Sequence, residues 1–99
     1  MKYKKIINSN KEDLEKKYPW LKDADFRNAI ICDKGPYITW ENGTWKGGTW
    51  KDGIWKDGIW EYGIWKDGIW EGGQMWNNLD QEYQEVTQKE NNKFFKLNK

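Results

Sequence analysis

The chain of 99 residues has no histidine, one cysteine and two prolines. Without histidine, imidazole acid–base catalysis and His-ligated metal sites are excluded. The lone Cys32 rules out an internal disulfide and a cysteine-cluster zinc site. No apolar run approaches the roughly 18–20 residues that a membrane helix needs, and the charged start Met1–Ile7 is not a signal peptide. We therefore expect one small cytoplasmic domain without metal or cofactor.

Positive and negative charges nearly balance, with 17 Lys and Arg against 16 Asp and Glu. A general nucleic-acid binder needs a clear basic excess, and a DNA mimic needs an acidic one, so neither function is expected. Ser9 is the only serine, and Cys32 lies in an apolar stretch without a neighbouring base. The sequence therefore predicts that the protein is not an enzyme.

Tryptophan and glycine are unusually frequent, at nine and ten residues, and they form a repeat. Seven consecutive pentapeptides fill residues 39–73, and they read TWENG, TWKGG, TWKDG, IWKDG, IWEYG, IWKDG and IWEGG. We call this segment the repeat block. A period of five fits neither an α-helix nor a simple strand, whose periods are 3.6 and 2. It fits a chain that turns every five residues.

Two mainly β architectures satisfy this period. In a solenoid, each pentapeptide forms one side of a square coil, and four pentapeptides complete a turn. In an antiparallel meander, Asp-Gly, Asn-Gly and Gly-Gly turns join strands of three residues, and Asp-Gly between β-formers is a strong hairpin signal.

The segment before the block favours the solenoid. Residues 24–33 read ADFRN and AIICD, which resembles the pentapeptide-repeat family, whose unit is a small residue, Asp or Asn, a large apolar residue and two variable residues. Phe26 and Ile31 match the central apolar position. Carried forward over residues 24–77, the same frame makes tryptophan central, and the last unit has Met75 in that place. Tryptophan at every central position departs from the family, where Leu or Phe is usual.

The resemblance implies a right-handed quadrilateral β-helix with the central and small residues inward, and dimers joined through the C-terminal coil. Glycine in place of the family's small residue would give room for the larger indole, although a buried indole N–H also needs an acceptor. Four pentapeptides per turn place residues twenty apart on one another. Lys51 would then lie over Glu71, Lys46 over Lys66 and Glu41 over Glu61.

The block has a predicted cap at each end. Residues 1–23 form the N-terminal cap, with a strand at residues 3–8, a helix opened by a capping box at Ser9 and closed at Pro19. Residues 24–78 form the solenoid. Residues 79–99 form a C-terminal helix, because Leu79, Tyr83 and Val86 fall at helical spacing. This tail either covers the last coil or joins two copies in a homodimer.

Five aromatic residues are candidates for binding a ligand or partner. Trp76 breaks the frame by one residue and points outward if Met75 points inward, and Tyr62 is the only aromatic at the fourth place of a repeat. Tyr83, Phe94 and Phe95 are the tail's aromatic residues. The regular tryptophans are either core or a platform on which sugars or nucleobases stack.

The leading functional interpretation is a non-enzymatic interaction protein. Its size, its balanced charge and its lack of catalytic groups fit a small phage-encoded inhibitor of a host protein. The alternative is a carbohydrate- or nucleotide-binding module that uses exposed tryptophans.

Overall fold

The computed structural model describes residues 1–77 and 80–86, and these residues are mainly β. In chain order the elements are β1 (Tyr3–Ile7), α1 (Lys11–Lys17), α2 (Pro19–Asp23), β2 (Asp25–Asp33), β3 (Ile38–Gly47), β4 (Thr49–Trp50), β5 (Ile54–Trp55), β6 (Ile59–Trp60), β7 (Ile64–Trp65), β8 (Ile69–Trp70), β9 (Gln74–Asn77) and β10 (Glu82–Glu85). Within this part of the chain, no helix has the length and apolar character to cross a membrane.

The N-terminal segment contains the predicted strand and helix, with one difference at the helix start. Asn10, not Ser9, is the N-cap of α1, because its extended backbone lets its side chain accept from the Asp13 N–H at 2.9 Å. Pro19 is at the start of a second short helix, where a missing backbone N–H costs nothing. Leu14 and Leu21 from these helices are fully buried in the core.

The segment that carries the pentapeptide pattern forms one long strand. β2 pairs in parallel with β1 and antiparallel with β3, so residues 25–33 are not two consecutive sides of a coil. The pattern's apolar positions are nevertheless inward, because Phe26 faces Trp45 and Ile31 faces Trp40 across the ladder. A bulge with Asn28 at φ 55° bends the strand and keeps both residues on the core side.

Within the repeat block, the parallel pairs of the described strands all join residues that are fifteen apart. Trp40 is paired with Trp55, and Trp55 with Trp70. The same spacing joins β3 to β6, β4 to β7 and β6 to β9. The predicted stacking of residues twenty apart, and with it the four-sided turn, is therefore wrong.

The size of the indole gives a physical reason for pairing at fifteen residues rather than at twenty. Trp40, Trp45 and Trp50 contact one another edge to face, with ring centroids 5.8, 5.8 and 6.2 Å apart. Three indoles in mutual contact leave no room at the centre for a fourth. Along the block the rings stack flat, as for Trp40 on Trp55 at 4.7 Å and 7°.

Glycine makes this packing possible. Gly58 has φ 124°, and a Cβ there would lie 2.5 Å from the Gly43 carbonyl oxygen and 3.0 Å from Trp40 Nε1. The missing methyl group is thus the space that the indole edge uses, as the sequence predicted. Among the described residues, four buried indole N–H groups have no hydrogen-bond acceptor, those of Trp40, Trp45, Trp50 and Trp55. Each of them is packed against the glycine eighteen residues later.

At the C-terminal end, the predicted helix is wrong for residues 82–85, which form strand β10. β10 pairs antiparallel with β9, whose other edge pairs with β6. This second ladder gives the backbone of β9 hydrogen bonds on both sides, which outweighs the helical spacing. Val86 follows as a buried residue, and its carbonyl oxygen accepts from the Trp70 indole N–H at 2.7 Å. Leu79 and residues 87–99, with most of the predicted tail and its dimer contact, lie outside the described residues.

Candidate binding surface

The repeated tryptophans are core and not a binding platform. From Trp40 to Trp70, none of the seven is more than 6% exposed. Met75 continues the inward frame and is 1% exposed, whereas Trp76 is partly exposed. The aromatic residues outside the frame are therefore the candidates for binding a partner.

Trp76 belongs to a row of outward side chains that runs across one sheet face. The residues that follow the inward Trp45, Trp60 and Met75 are Lys46, Glu61 and Trp76, again fifteen apart. On the next strand, Tyr83 lies opposite Trp76. We call the set Lys46, Glu61, Trp76 and Tyr83 the Trp76 row.

Direct contacts join the four side chains of the Trp76 row. Lys46 Nζ lies 3.2 Å from Glu61 Oε1, and the Tyr83 hydroxyl donates to Glu61 Oε2 at 2.7 Å. The Trp76 and Tyr83 rings meet edge to face, with centroids 4.9 Å apart at 65°. Glu61 therefore holds a cation on one side and an aromatic pair on the other.

The charge state of Glu61 follows from these contacts. The hydrogen bond from Tyr83, and then Lys46, hold the pKa of the Glu61 carboxyl below its ordinary value. The same hydrogen bond to a carboxylate raises the pKa of the Tyr83 hydroxyl. At neutral pH, Glu61 is a carboxylate and Tyr83 a neutral donor.

A second outward row borders the first. Thr44, Ile59, Gln74 and Glu85 are neighbours across β3, β6, β9 and β10, and we call them the Gln74 row. A shallow groove of about 260 Å³ runs beside this row, along the edge of the block. Its lining is mostly polar or glycine and consists of Asn42, Asp57, Gly58, Ile59, Gly73, Gln74 and Glu85. Amide and carboxylate groups thus lie close to the aromatic pair.

The predicted binding residues are only partly brought together. Trp76 and Tyr83 are in contact. Tyr62 follows Glu61 in the chain and is 69% exposed, while Phe94 and Phe95 lie outside the described residues. Sequence reasoning missed Lys46 and Glu61. Glu61 lies fifteen and Lys46 thirty residues before Trp76, so an assumed pairing at fifteen residues would have predicted both.

The repeated aspartates have a structural role in the turns of the block. Asp52, Asp57 and Asp67 each accept from the backbone N–H of the following glycine at 2.8 Å, as is typical of turn residues. In the described part of the chain, no three His, Cys, Asp or Glu side chains group as metal ligands would. Cys32 is buried, 4% exposed.

Charge is distributed unevenly along the chain, although the total is nearly zero. Residues 1–51 carry eleven basic and seven acidic groups, a net charge of +4. Residues 52–86 carry two lysines and eight acidic residues, a net charge of −6. Three members of the Trp76 row, Glu61, Trp76 and Tyr83, belong to this acidic segment.

Comparison with known proteins gives no relative: no family model, no curated protein and no solved structure matches the chain.

Proposed function

We propose that this protein is a non-enzymatic interaction protein, whose repeat block is a short three-sided β-solenoid that displays the Trp76 row to a protein partner. One observation carries the proposal. Every tryptophan in the repeat frame is buried, whereas Trp76, one residue out of frame, is outward beside Tyr83. Tryptophan and tyrosine are the residues most enriched among the energetic anchors of protein interfaces.

The pairing in the block supports the solenoid. All pairs between its two-residue strands are parallel and fifteen residues apart, and Trp40, Trp45 and Trp50 close into a triangle. The alternative meander requires antiparallel pairing between consecutive pentapeptides. The pentapeptide-repeat family stays our proposed relation, with three pentapeptides per turn instead of the four that the family implies.

The chemistry of the row favours binding over catalysis. A general acid or base at neutral pH needs a pKa near 7, and the pKa of Glu61 is lowered instead. Among the described residues, the four side chains of the row lie on one sheet face. A small phage-type inhibitor that binds a host protein in the cytoplasm remains our interpretation of such a surface.

Affinity capture with matched variants tests the proposal. Wild-type protein, the double variant W76A/Y83A and the control Y37A are immobilised and exposed to bacterial lysate. Tyr37 is 38% exposed and lies in the loop between β2 and β3, away from the row. We expect a partner that binds saturably to the wild type and to Y37A but not to W76A/Y83A. Absence of any saturable partner, or equal capture by the folded double variant, contradicts the proposal.

A carbohydrate- or nucleotide-binding module is the second candidate. The observation that favours it is the polar groove beside the Gln74 row, because its amide and carboxylate groups suit sugar hydroxyls and Trp76 lies two residues after Gln74 on β9. Titration with glycans and nucleotides would change the fluorescence of wild-type protein but not that of Trp76→Phe. Unchanged emission with every compound removes this candidate.

A homodimer through the tail stays a prediction, since residues 87–99 lie outside the described part of the chain.

A further inference from the structure

The Trp76 row combines two features that recognise the same kind of group. Aromatic ring faces attract cations, and the attraction is strongest for tryptophan. A carboxylate hydrogen-bonded to one of those rings, Glu61 on Tyr83 at 2.7 Å, adds a formal negative charge beside the aromatic pair.

We propose that the Trp76 row is an anchor for an arginine side chain in a basic segment of the partner protein. This inference rests on the proposed function, and it specifies the chemistry of the partner. Arginine fits better than lysine, because a planar guanidinium stacks on an indole and donates through a rigid fork to a carboxylate.

Glu61 has the capacity to accept a further donor. Its Oε1 contacts Lys46 and its Oε2 accepts from Tyr83, and each carboxylate oxygen has two lone pairs. Lys46 is 39% exposed and its ion pair is at the surface, so an incoming guanidinium can share Glu61 or displace the lysine at little cost.

The surroundings of the row carry the complementary charge. Glu82 and Glu85 flank Tyr83 on β10, and both are exposed. The whole segment of residues 52–86 has a net charge of −6. A basic peptide would be attracted over its length, while its arginine occupies the aromatic pair. An anionic partner, such as a nucleic acid or an acidic membrane surface, would be repelled.

NMR titration of the full chain tests this inference. The ligands are an acetylated hexa-arginine amide and its hexa-lysine and hexa-glutamate equivalents. The signal followed is the indole N–H resonance of Trp76, which is assigned with Trp76→Phe. We expect hexa-arginine to shift this signal saturably and to leave the signals of the seven buried indoles in place. Hexa-lysine should bind about 3-fold more weakly, and hexa-glutamate should not bind.

A pair of charge-matched variants separates the anchor from general electrostatic attraction. Glu61→Gln and Glu41→Gln remove the same charge from equivalent outward positions, each facing a lysine fifteen residues away. Among the described residues, Glu41 contacts Lys56 and the Thr39 hydroxyl but no aromatic ring. We expect E61Q to weaken hexa-arginine binding about 5-fold or more and E41Q less than about 2-fold. Tyr83→Phe, which keeps the ring and removes the hydroxyl, should be intermediate.

Three results would overturn the inference. These are equal weakening by E61Q and E41Q, no saturable shift of the Trp76 signal, or equal binding of hexa-glutamate. The proposed function fails separately. If a partner from lysate binds E61Q at full strength but does not bind W76A/Y83A, the arginine anchor is refuted and the proposed interaction surface stands.

Discussion

The buried tryptophans of the repeat block and Trp76 are the same side chain in opposite roles. Trp55 is fully buried, stacked between Trp40 and Trp70 at 4.7 and 5.1 Å. Trp76 lies one residue beyond the inward position, which Met75 occupies, and contacts Tyr83 on the outer face. From Trp40 to Trp76, the position of a tryptophan in the five-residue frame, and not its hydrophobicity alone, determines whether its side chain is buried.

The largest expected effect comes from removing one buried ring. Trp55→Ala should lower the free energy of unfolding by about 3–5 kcal/mol, because it leaves a cavity between two stacked indoles. Trp76→Ala, the same substitution outside the frame, should cost about 1 kcal/mol or less. Urea unfolding followed by far-UV circular dichroism measures both. Similar losses from the two variants would contradict the division into core and surface.

Adding one methyl group inside the block should be nearly as damaging. Gly58→Ala places a Cβ 2.5 Å from the Gly43 carbonyl oxygen at φ 124°, and we expect a loss of about 3 kcal/mol. Gly47→Ala is the matched control, because a Cβ there meets no atom within 4 Å. It should change the free energy of unfolding by no more than about 0.5 kcal/mol. If both substitutions are tolerated alike, the close approach at Gly58 is not real.

The smallest expected change in the free energy of unfolding distinguishes fifteen-residue from twenty-residue pairing by its sign. Lys46→Glu faces Glu61 if paired residues are fifteen apart, but it faces Lys66 if they are twenty apart. We expect K46E to lower the free energy of unfolding by about 0.5–1 kcal/mol and K46E/E61K to restore it. Urea unfolding at low salt gives both values. Stabilisation by K46E alone would favour the twenty-residue register.

The sequence was sufficient to predict the β class, the inward frame and the role of glycine, but not the spacing of fifteen residues between paired strands. A strict period of five places tryptophan over tryptophan at either spacing. The spacing is decided by the packing of three indole rings, whose centroids are 5.8–6.2 Å apart. This packing depends on the shape of the side chains and not on the sequence pattern. The charges did contain a signal, since Lys46 meets Glu61 at fifteen but Lys66 at twenty. Exposed ion pairs are too weak to have carried that choice.

Strand pairing explains why the predictions for residues 24–33 and 82–85 were wrong. Ala24, Phe26, Ala29 and Ile31 fit a five-residue repeat, and they fit equally a strand with a bulge at Asn28. Tyr83 and Val86 fit a helix by spacing, yet pairing with β9 makes residues 82–85 a strand. The same pairing brings Tyr83 to Trp76. The sequence therefore named two residues of the candidate surface without showing how they meet.

The fifteen-residue pairing restricts how such a chain can change in length. In the proposed three-sided solenoid, Trp76 lies beside Glu61 because fifteen residues make one full turn. Inserting a single pentapeptide between them would carry β9 and β10 to a different side of the block, whereas inserting three would return both to the same side, one layer further along. In that solenoid, the chain can lengthen and keep β9 and β10 on the same side only by whole turns of three pentapeptides.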